Sequence, residues 1–312
     1  MSQPVSFGLI GAGRWGQAYL RTLRSLDGRV RVTHLAVRHP ERLRHVPARV
    51  CVGRDWRRLI RTDCDAVIIA SPAPTHAEML QACLDARKPC IVEKPLCLDV
   101  RTAERLHRRA SALRVPVLID HTQVFHPAYQ ALKRALAAAG EPIRIILSEG
   151  MNWGPFRSDT PPLWDWGPHD VSLCLDLLGR APSRVDALGG PTNARGEPEL
   201  VTMRLRFSGG ATAWIHIGCL APSKRRLLTV LTRTRRYVLD DTARQPLTVT
   251  RLTSPAMKPV PIRSASTLTP MASMVSYFLD GLAGGDRTYF GTQLALDVIR
   301  VLAAADAAMR HG

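Results

Sequence analysis

Residues 5–16 read VSFGLIGAGRWG, and QAYLRTLRSL follows at 17–26. The first six residues form an apolar run of strand length, whereas Ala18, Leu20, Leu23 and Leu26 recur at helical spacing. Between the two, Gly11, Gly13 and Gly16 form G-x-G-x-x-G, directly after the strand and directly before the helix. In that context each glycine has a physical task. Gly11 permits a tight turn, Gly13 lets the main chain approach a pyrophosphate, and Gly16 lets helix and strand pack closely. The helix N-terminus, which carries Arg14 and Trp15, offers N–H donors to phosphate. The stretch predicts a dinucleotide-binding unit.

The same alternation continues outward. Residues 30–37 read as a strand, and HPERLR starts a helix at Pro40. DAVIIASP at 65–72 is a buried strand, followed by the helix THAEMLQACLDA, the strand and turn KPCIVEKP, the long helix VRTAERLHRRASAL and the strand VPVLID. Continuous apolar strands alternating with helices argue for an α/β fold built on a doubly wound parallel sheet, the Rossmann arrangement, over residues 1–122.

The pattern changes class after that. PAYQALKRALAAAG has Pro127 at a helix start and Gly140 just past its end. A second helix is expected to begin near Pro168. Residues 184–262 then read as strands separated by turns, with Met203, Leu205 and Phe207 alternating against Thr202, Arg204 and Arg206. That alternation predicts an antiparallel sheet with one wetter face. Helices near 271–283 and 291–309 complete a second, α+β domain over 123–312.

The end of the second strand bears on the cofactor. An NAD site calls for an acid there, about twenty residues beyond the glycines, to accept from the ribose hydroxyls. This chain has Val37 and Arg38 instead. A guanidinium pairs with a 2′-phosphate, so the expectation is NADP(H), with NAD(H) as the alternative if Arg38 only stacks on adenine or faces water.

Bulk properties narrow the function classes. The chain has 312 residues, 46% hydrophobic and 22% charged, and no stretch approaches the roughly 20 apolar residues that span a bilayer. The first residues lack a basic, then apolar, leader pattern, so a cytoplasmic location is expected. The net charge is +17, and only five of the 43 basic residues are lysines. These charges are scattered rather than arranged in a basic stripe, which argues against nucleic acid and for an anionic small-molecule partner. Seven cysteines without a C-x-x-C pair read as reduced thiols.

LWDWGPHDVS at 163–172 holds Asp165 and His169 four residues apart. Taken alone, the pair fits two metal ligands, an acid/base pair or a capped helix start. No third or fourth ligand is spaced to join them, so no metal is expected.

Ser71-Pro72-x-x-x-His76, then Glu93-Lys94-Pro95, then Pro127-Ala128 and the D-x-G-x-H-D block at 165–170 complete a set with the glycine motif. Together they resemble the Gfo/Idh/MocA family of NAD(P)-dependent oxidoreductases. The resemblance spans essentially the whole chain. It implies a Rossmann domain followed by an open, largely antiparallel sheet domain whose exposed face serves homo-oligomerisation. It also brings Ser71, Pro72, His76, Glu93 and Lys94 to the cofactor. GRWG, DHTQVFHPA and LWDWGPHD are similar to members acting on sugars, particularly nucleotide-linked ones. Family members often carry a carboxylate three residues after the histidine, where this chain has Ser172.

Hydride exchange with a carbinol carbon also needs a proton carrier. Lys94 is expected to polarise the reacting oxygen. His169 is expected to carry the proton from the first turn of a helix starting at Pro168, where the dipole favours neutral imidazole. Asp165 would fix its tautomer. His121, Asn152, Trp153 and Arg157 are candidate substrate contacts, with Arg157 suited to a phosphate or carboxylate. Competing readings are redox-neutral elimination or epimerisation on tightly held cofactor, imine reduction, and a non-catalytic NADP sensor.

Overall fold

The computed structural model describes residues 3–43, 49–252 and 257–311. The chain divides into two compact units, Met1–Asp120 with Met271–Leu296, and His121–Pro270 with Asp297–Gly312.

In the first unit, β1 (Val5–Ile10), β2 (Val30–Ala36), β3 (Cys51–Gly53), β4 (Ala66–Ile69), β5 (Cys90–Glu93) and β6 (Val117–Asp120) form one sheet in the order β3-β2-β1-β4-β5-β6. Every pairing is parallel. This is the doubly wound order whose strand reversal, beside β1, makes the dinucleotide crevice. β4, β5 and β6 are buried at every residue, as their unbroken apolar character requires. The helices are α1 (Arg14–Ser25), α2 (Trp56–Ile60), α3 (His76–Asp85) and α4 (Val100–Leu113). The inward face of α1 is Gly16, Tyr19 and Leu23, not the Ala18 and Leu20 read from spacing. The reason is Gly16. It must face the turn, and the positions three and seven residues on turn inward with it. The expected helix at Pro40 is a single 3-10 turn, Pro40–Arg42, and the continuation at 44–48 lies outside the described residues. β3 and α2 carry too few residues for a periodic signal.

In the second unit, α5 (Pro127–Ala139) ends at Gly140 in the left-handed region, φ 65°, as its punctuation predicts. Next come β7 (Ile145–Trp153), α6 (Pro162–Leu178), β8 (Arg184–Gly189), β9 (Leu200–Arg206), β10 (Thr212–Gly218), β11 (Leu220–Leu231), β12 (Arg235–Asp240), β13 (Leu247–Arg251) and β14 (Val260–Pro261). They make an eight-stranded sheet in the order β14-β13-β12-β11-β7-β10-β9-β8, antiparallel except for β7 beside β10. β7 sits inside this sheet, yet it precedes the segment read as strands. One face buries Ile146, Ser148, Met203, Leu205, Ala213 and Ile215, while Leu147, Trp214 and Leu188 remain exposed.

α6 corrects the expected helix start. It begins at Pro162, so Pro168 lies within it and His169 is in its second turn rather than its first. The dipole argument for a neutral imidazole therefore does not apply. A proline there removes one helical N–H bond, a cost of about 3 kcal/mol in isolation that buried packing must offset. Gly167 serves packing: a Cβ at this position would lie 2.5 Å from Leu302 Cδ2.

The last two helices are α7 (Pro270–Leu282) and α8 (Gln293–His311), which crosses the unit boundary at residues 296 and 297. Residues 271–296, assigned from sequence to the second domain, return to the first unit. Phe278 packs 6.1 Å from Phe7 and stacks 5.4 Å from Phe290, and Gly291 N–H donates to Val117 O at 2.7 Å. Aromatic burial against β1 and a bridge to β6 hold this segment there. Among the described residues, no helix is long and apolar enough to cross a membrane.

Candidate active site

The glycine turn has the three properties its motif requires. Gly11 adopts φ +93°, and a Cβ there would stand 2.5 Å from Ala70 O, where the loop after β4 passes. A Cβ on Gly16 would stand 2.1 Å from Gly11 O, so only a glycine lets α1 meet the turn. Gly13, the N-cap of α1, has nothing within 4 Å of that position and no side-chain cap bond. An open backbone at a helix N-terminus fits a pyrophosphate. Arg14 is exposed with its guanidinium 5.9 Å from the Trp15 ring. At the end of β2, Val37 is buried and Arg38 exposed.

Ser71 and His76 have structural engagements. Ser71 Oγ pairs with Thr75 Oγ1 at 2.7 Å. The buried His76 ring sets Nε2 2.8 Å from Ser71 O and Nδ1 2.8 Å from Pro95 O. It joins the loop after β4, including Pro72, to the turn that carries Lys94. Lys94, 7% exposed, directly follows β5. Glu93, buried at the end of that strand, pairs in register with Asp120 on β6, and Tyr19 Oη donates to Asp120 Oδ2 at 2.5 Å. Burial, reinforced by the Asp120 charge, pushes the Glu93 carboxyl well above the usual carboxylate range. Tyr19 carries no motif signal, and Asp120 opens the DHTQVFHPA stretch without being singled out there as a site residue.

In the second unit, Asp165 lies in the first turn of α6 and His169 one turn later, on the same side of the helix. Both are largely covered, the Asp165 side chain 13% exposed. Arg157 donates to both Asp159 oxygens at 2.9 Å, and its NH1 lies 3.8 Å from Asp165 Oδ1. A substrate anion reaching Arg157 would compete with these carboxylates. A cavity of about 330 Å³ opens here, lined among others by Phe156, Arg157, Asp165, Trp166, Arg195 and Cys219. Arg195, from the β8–β9 connection, donates to Arg157 O at 2.9 Å and also to Ser158 O, tying down one wall. Neither Arg195 nor Trp166 was singled out from sequence. Asn152 and Trp153 end β7 and His121 is buried before a 3-10 turn, and none of the three lines this cavity. Trp153 is 63% exposed, edge-on to Phe156 at 5.5 Å.

A buried network fastens α6 beneath His169. Asp170 accepts from Ser148 Oγ at 2.7 Å and from Arg226 NH1 at 3.0 Å, and Arg226 lies 5.6 Å from the Trp166 ring. Burial raises the Asp170 carboxyl above its ordinary value despite these two donors. Gly150 makes room for them, because a Cβ there would stand 2.2 Å from Asp170 Oδ2. Ser172 Oγ donates to His169 O at 2.9 Å, so this hydroxyl serves its own helix. Among the described residues, no three His, Cys, Asp or Glu side chains are grouped as metal ligands. Six of the seven cysteines are buried, and all seven are free thiols.

Comparison with known proteins agrees with this architecture. Residues 5–121 match the oxidoreductase family model with an NAD-binding Rossmann fold, and residues 131–238 match the GFO/IDH/MocA C-terminal domain. Inositol 2-dehydrogenase from Acidothermus cellulolyticus is 33% identical over 209 residues, covering 63% of this chain and 60% of that protein. The match thus spans less than two thirds of that relative. A crystal structure from Magnetospirillum magnetotacticum MS-1, named as an oxidoreductase, superposes with a TM-score of 0.87 at 37% identity, covering 97% of this chain and 99% of that one. UDP-N-acetylglucosamine 3-dehydrogenase from Acidithiobacillus ferrooxidans shares the fold, with a TM-score of 0.87 at 21% identity over 99% of each chain.

Proposed function

The chain belongs to the Gfo/Idh/MocA family of oxidoreductases, and from that premise we propose that it exchanges hydride between a nicotinamide cofactor and a carbinol or carbonyl carbon of a polyol, sugar or nucleotide-linked sugar. The observation that carries this reading is the open backbone of Gly13, two strands from Lys94 at the same end of the parallel sheet. With strands about 4.8 Å apart, the turn and Lys94 are separated by roughly 10 Å across the strand ends, a span that one dinucleotide bridges. The inositol 2-dehydrogenase relative supports a polyol-type substrate.

The glycine turn and the α1 N-terminus would hold the pyrophosphate, and Arg38 a 2′-phosphate, so the reading favours NADP(H) over NAD(H). When bound, the nicotinamide supplies the redox step. Lys94 hydrogen-bonds the reacting oxygen and stabilises charge that develops on it. His169 takes or returns the proton, and its suitability rests on imidazole chemistry rather than on a helix terminus. Asp165, one turn earlier, fixes the tautomer, while Arg157, Asn152, Trp153 and His121 contact substrate. The outer face of the eight-stranded sheet meets a second copy of the chain.

The test is fluorescence titration with NADPH and NADH, followed by a turnover screen of polyols, free sugars and nucleotide sugars. Lys94→Met and His169→Gln should each lower kcat by about 10²- to 10⁴-fold, and His169→Gln should keep cofactor affinity. Wild-type turnover in either variant removes that residue from the chemistry. Failure to bind either cofactor overturns the reading.

A further inference from the structure

The proposed chemistry uses Lys94 but not Glu93, Asp120 and Tyr19, three buried groups connected to Lys94 through Glu93, its neighbour in the chain. Glu93 and Asp120 end adjacent parallel strands and stand opposite one another in register, 4% and 1% exposed. Tyr19, with no exposed surface, reaches from α1 and donates its phenolic hydrogen to Asp120 Oδ2 at 2.5 Å. Glu93 Oε1 is buried without a hydrogen-bond partner. Two neighbouring carboxyls shielded from water do not both ionise, because each charge would lose its hydration and face the other's repulsion. One proton stays. The phenol decides where it sits, because a donor stabilises the charged form of the group it reaches.

We propose that Glu93 and Asp120 share a single proton that resides on Glu93, with Tyr19 holding Asp120 as the carboxylate. Tyr19 and Asp120 are thus positioning residues that set the charge beneath Lys94. The raised Glu93 acid agrees with this, since burial and the Asp120 charge outweigh the pull of the Lys94 cation. Burial and Asp120 likewise raise the Tyr19 phenol, which keeps it a donor. The functional consequence rests on the oxidoreductase reading. One negative charge balances the single Lys94 cation, whereas two would draw the ammonium down onto the strand ends and away from a reacting oxygen.

The proton itself is observable without turnover. Glu93 is the only buried glutamate among the described residues, so a protonated glutamate carboxyl at neutral pH reports on it alone. Infrared spectra of the full chain, with and without ¹³C-carboxyl glutamate, should show a protonated-acid band at pH 7 to 8 that moves with the label. Asp120→Asn should make that band disappear at a lower pH than in the wild type, because the Asp120 charge is removed while the burial of Glu93 remains. Tyr19→Phe should weaken it and bring up an acid band insensitive to the label. Absence of any label-sensitive acid band in the wild type overturns the proposal, and this arm needs no substitution. A band unchanged in both variants overturns the roles of Tyr19 and Asp120. The apoprotein suffices throughout, so these outcomes are separable from failure of the proposed activity.

Discussion

Alanine at Gly13 separates folding from ligand approach. The position has φ −68° and ψ −161°, which alanine adopts, and its Cβ would have nothing within 4 Å. Two small effects then act on the apoprotein. Alanine is the poorer N-cap, at roughly 0.5–1 kcal/mol, and the less flexible unfolded chain returns about 0.4–1 kcal/mol. Stability should stay within about 1 kcal/mol of wild type. The bound state differs, because the methyl group occupies the side from which a pyrophosphate would approach. Losing one charge-assisted hydrogen bond from a main-chain N–H costs about 1.5–3 kcal/mol, which is roughly a 10- to 150-fold rise in Kd. Gly16→Ala is the contrasting variant. Its Cβ would stand 2.1 Å from Gly11 O, and reaching an ordinary contact of roughly 3.3 Å means moving α1 by about 1 Å. That strain, about 1–3 kcal/mol, outweighs or cancels the roughly 1 kcal/mol that alanine contributes inside a helix. Urea unfolding of the apoprotein and titration with NADPH and NADH read both quantities. Wild-type affinity in Gly13→Ala, or a loss of more than about 2 kcal/mol of apoprotein stability, would refute the reasoning.

Three further perturbations test other parts of the molecule. Arg38→Asp should move the NADPH-to-NADH affinity ratio toward NADH by about 10- to 100-fold, the worth of a charged hydrogen bond, and an unchanged ratio removes Arg38 from cofactor choice. Gly150→Ala drives a methyl into the Asp170–Arg226 pair, 2.2 Å from one partner and 2.8 Å from the other. Breaking so buried a pair costs about 3–5 kcal/mol, and a wild-type thermal midpoint would mean the pair can step aside. Asp241 is pushed up by burial but held down at about 2 by hydrogen bonds from His126 and Lys224. A depressed folded value means that this contribution is present above the unfolded value near 3.9 and lost as pH falls from about 5 to 2. It amounts to about 2 kcal/mol. Asp241→Asn should therefore be less stable than wild type at pH 6 and nearly equal to it near pH 2; a constant gap across that range would contradict the assignment.

Local sequence carried the elements whose cause is local. The 11–16 turn was legible because backbone freedom and close approach leave glycines at fixed spacing, and α5 because Pro127 and Gly140 mark its ends. β7 was not, since its apolar residues fall on both faces: Ile146 is buried while Ile145 and Leu147 are exposed. The start of α6 was misplaced because proline is most at home in a first turn, and nothing nearby shows that Leu302 packs over Gly167.

By itself the sequence determined the parallel α/β unit and its glycine turn, and it singled out Lys94, Asp165 and His169 as candidates by their side-chain chemistry. Those follow from period, glycine geometry and side-chain chemistry, all confined to a few neighbouring residues. Only the tertiary structure decided that residues 271–296 return to the first unit, that Arg226 and Ser148 hold Asp170, and that Tyr19 reaches Asp120 from 101 positions away. Each of those depends on burial and on partners far along the chain. Burial also decides whether a carboxyl such as Glu93 keeps its proton.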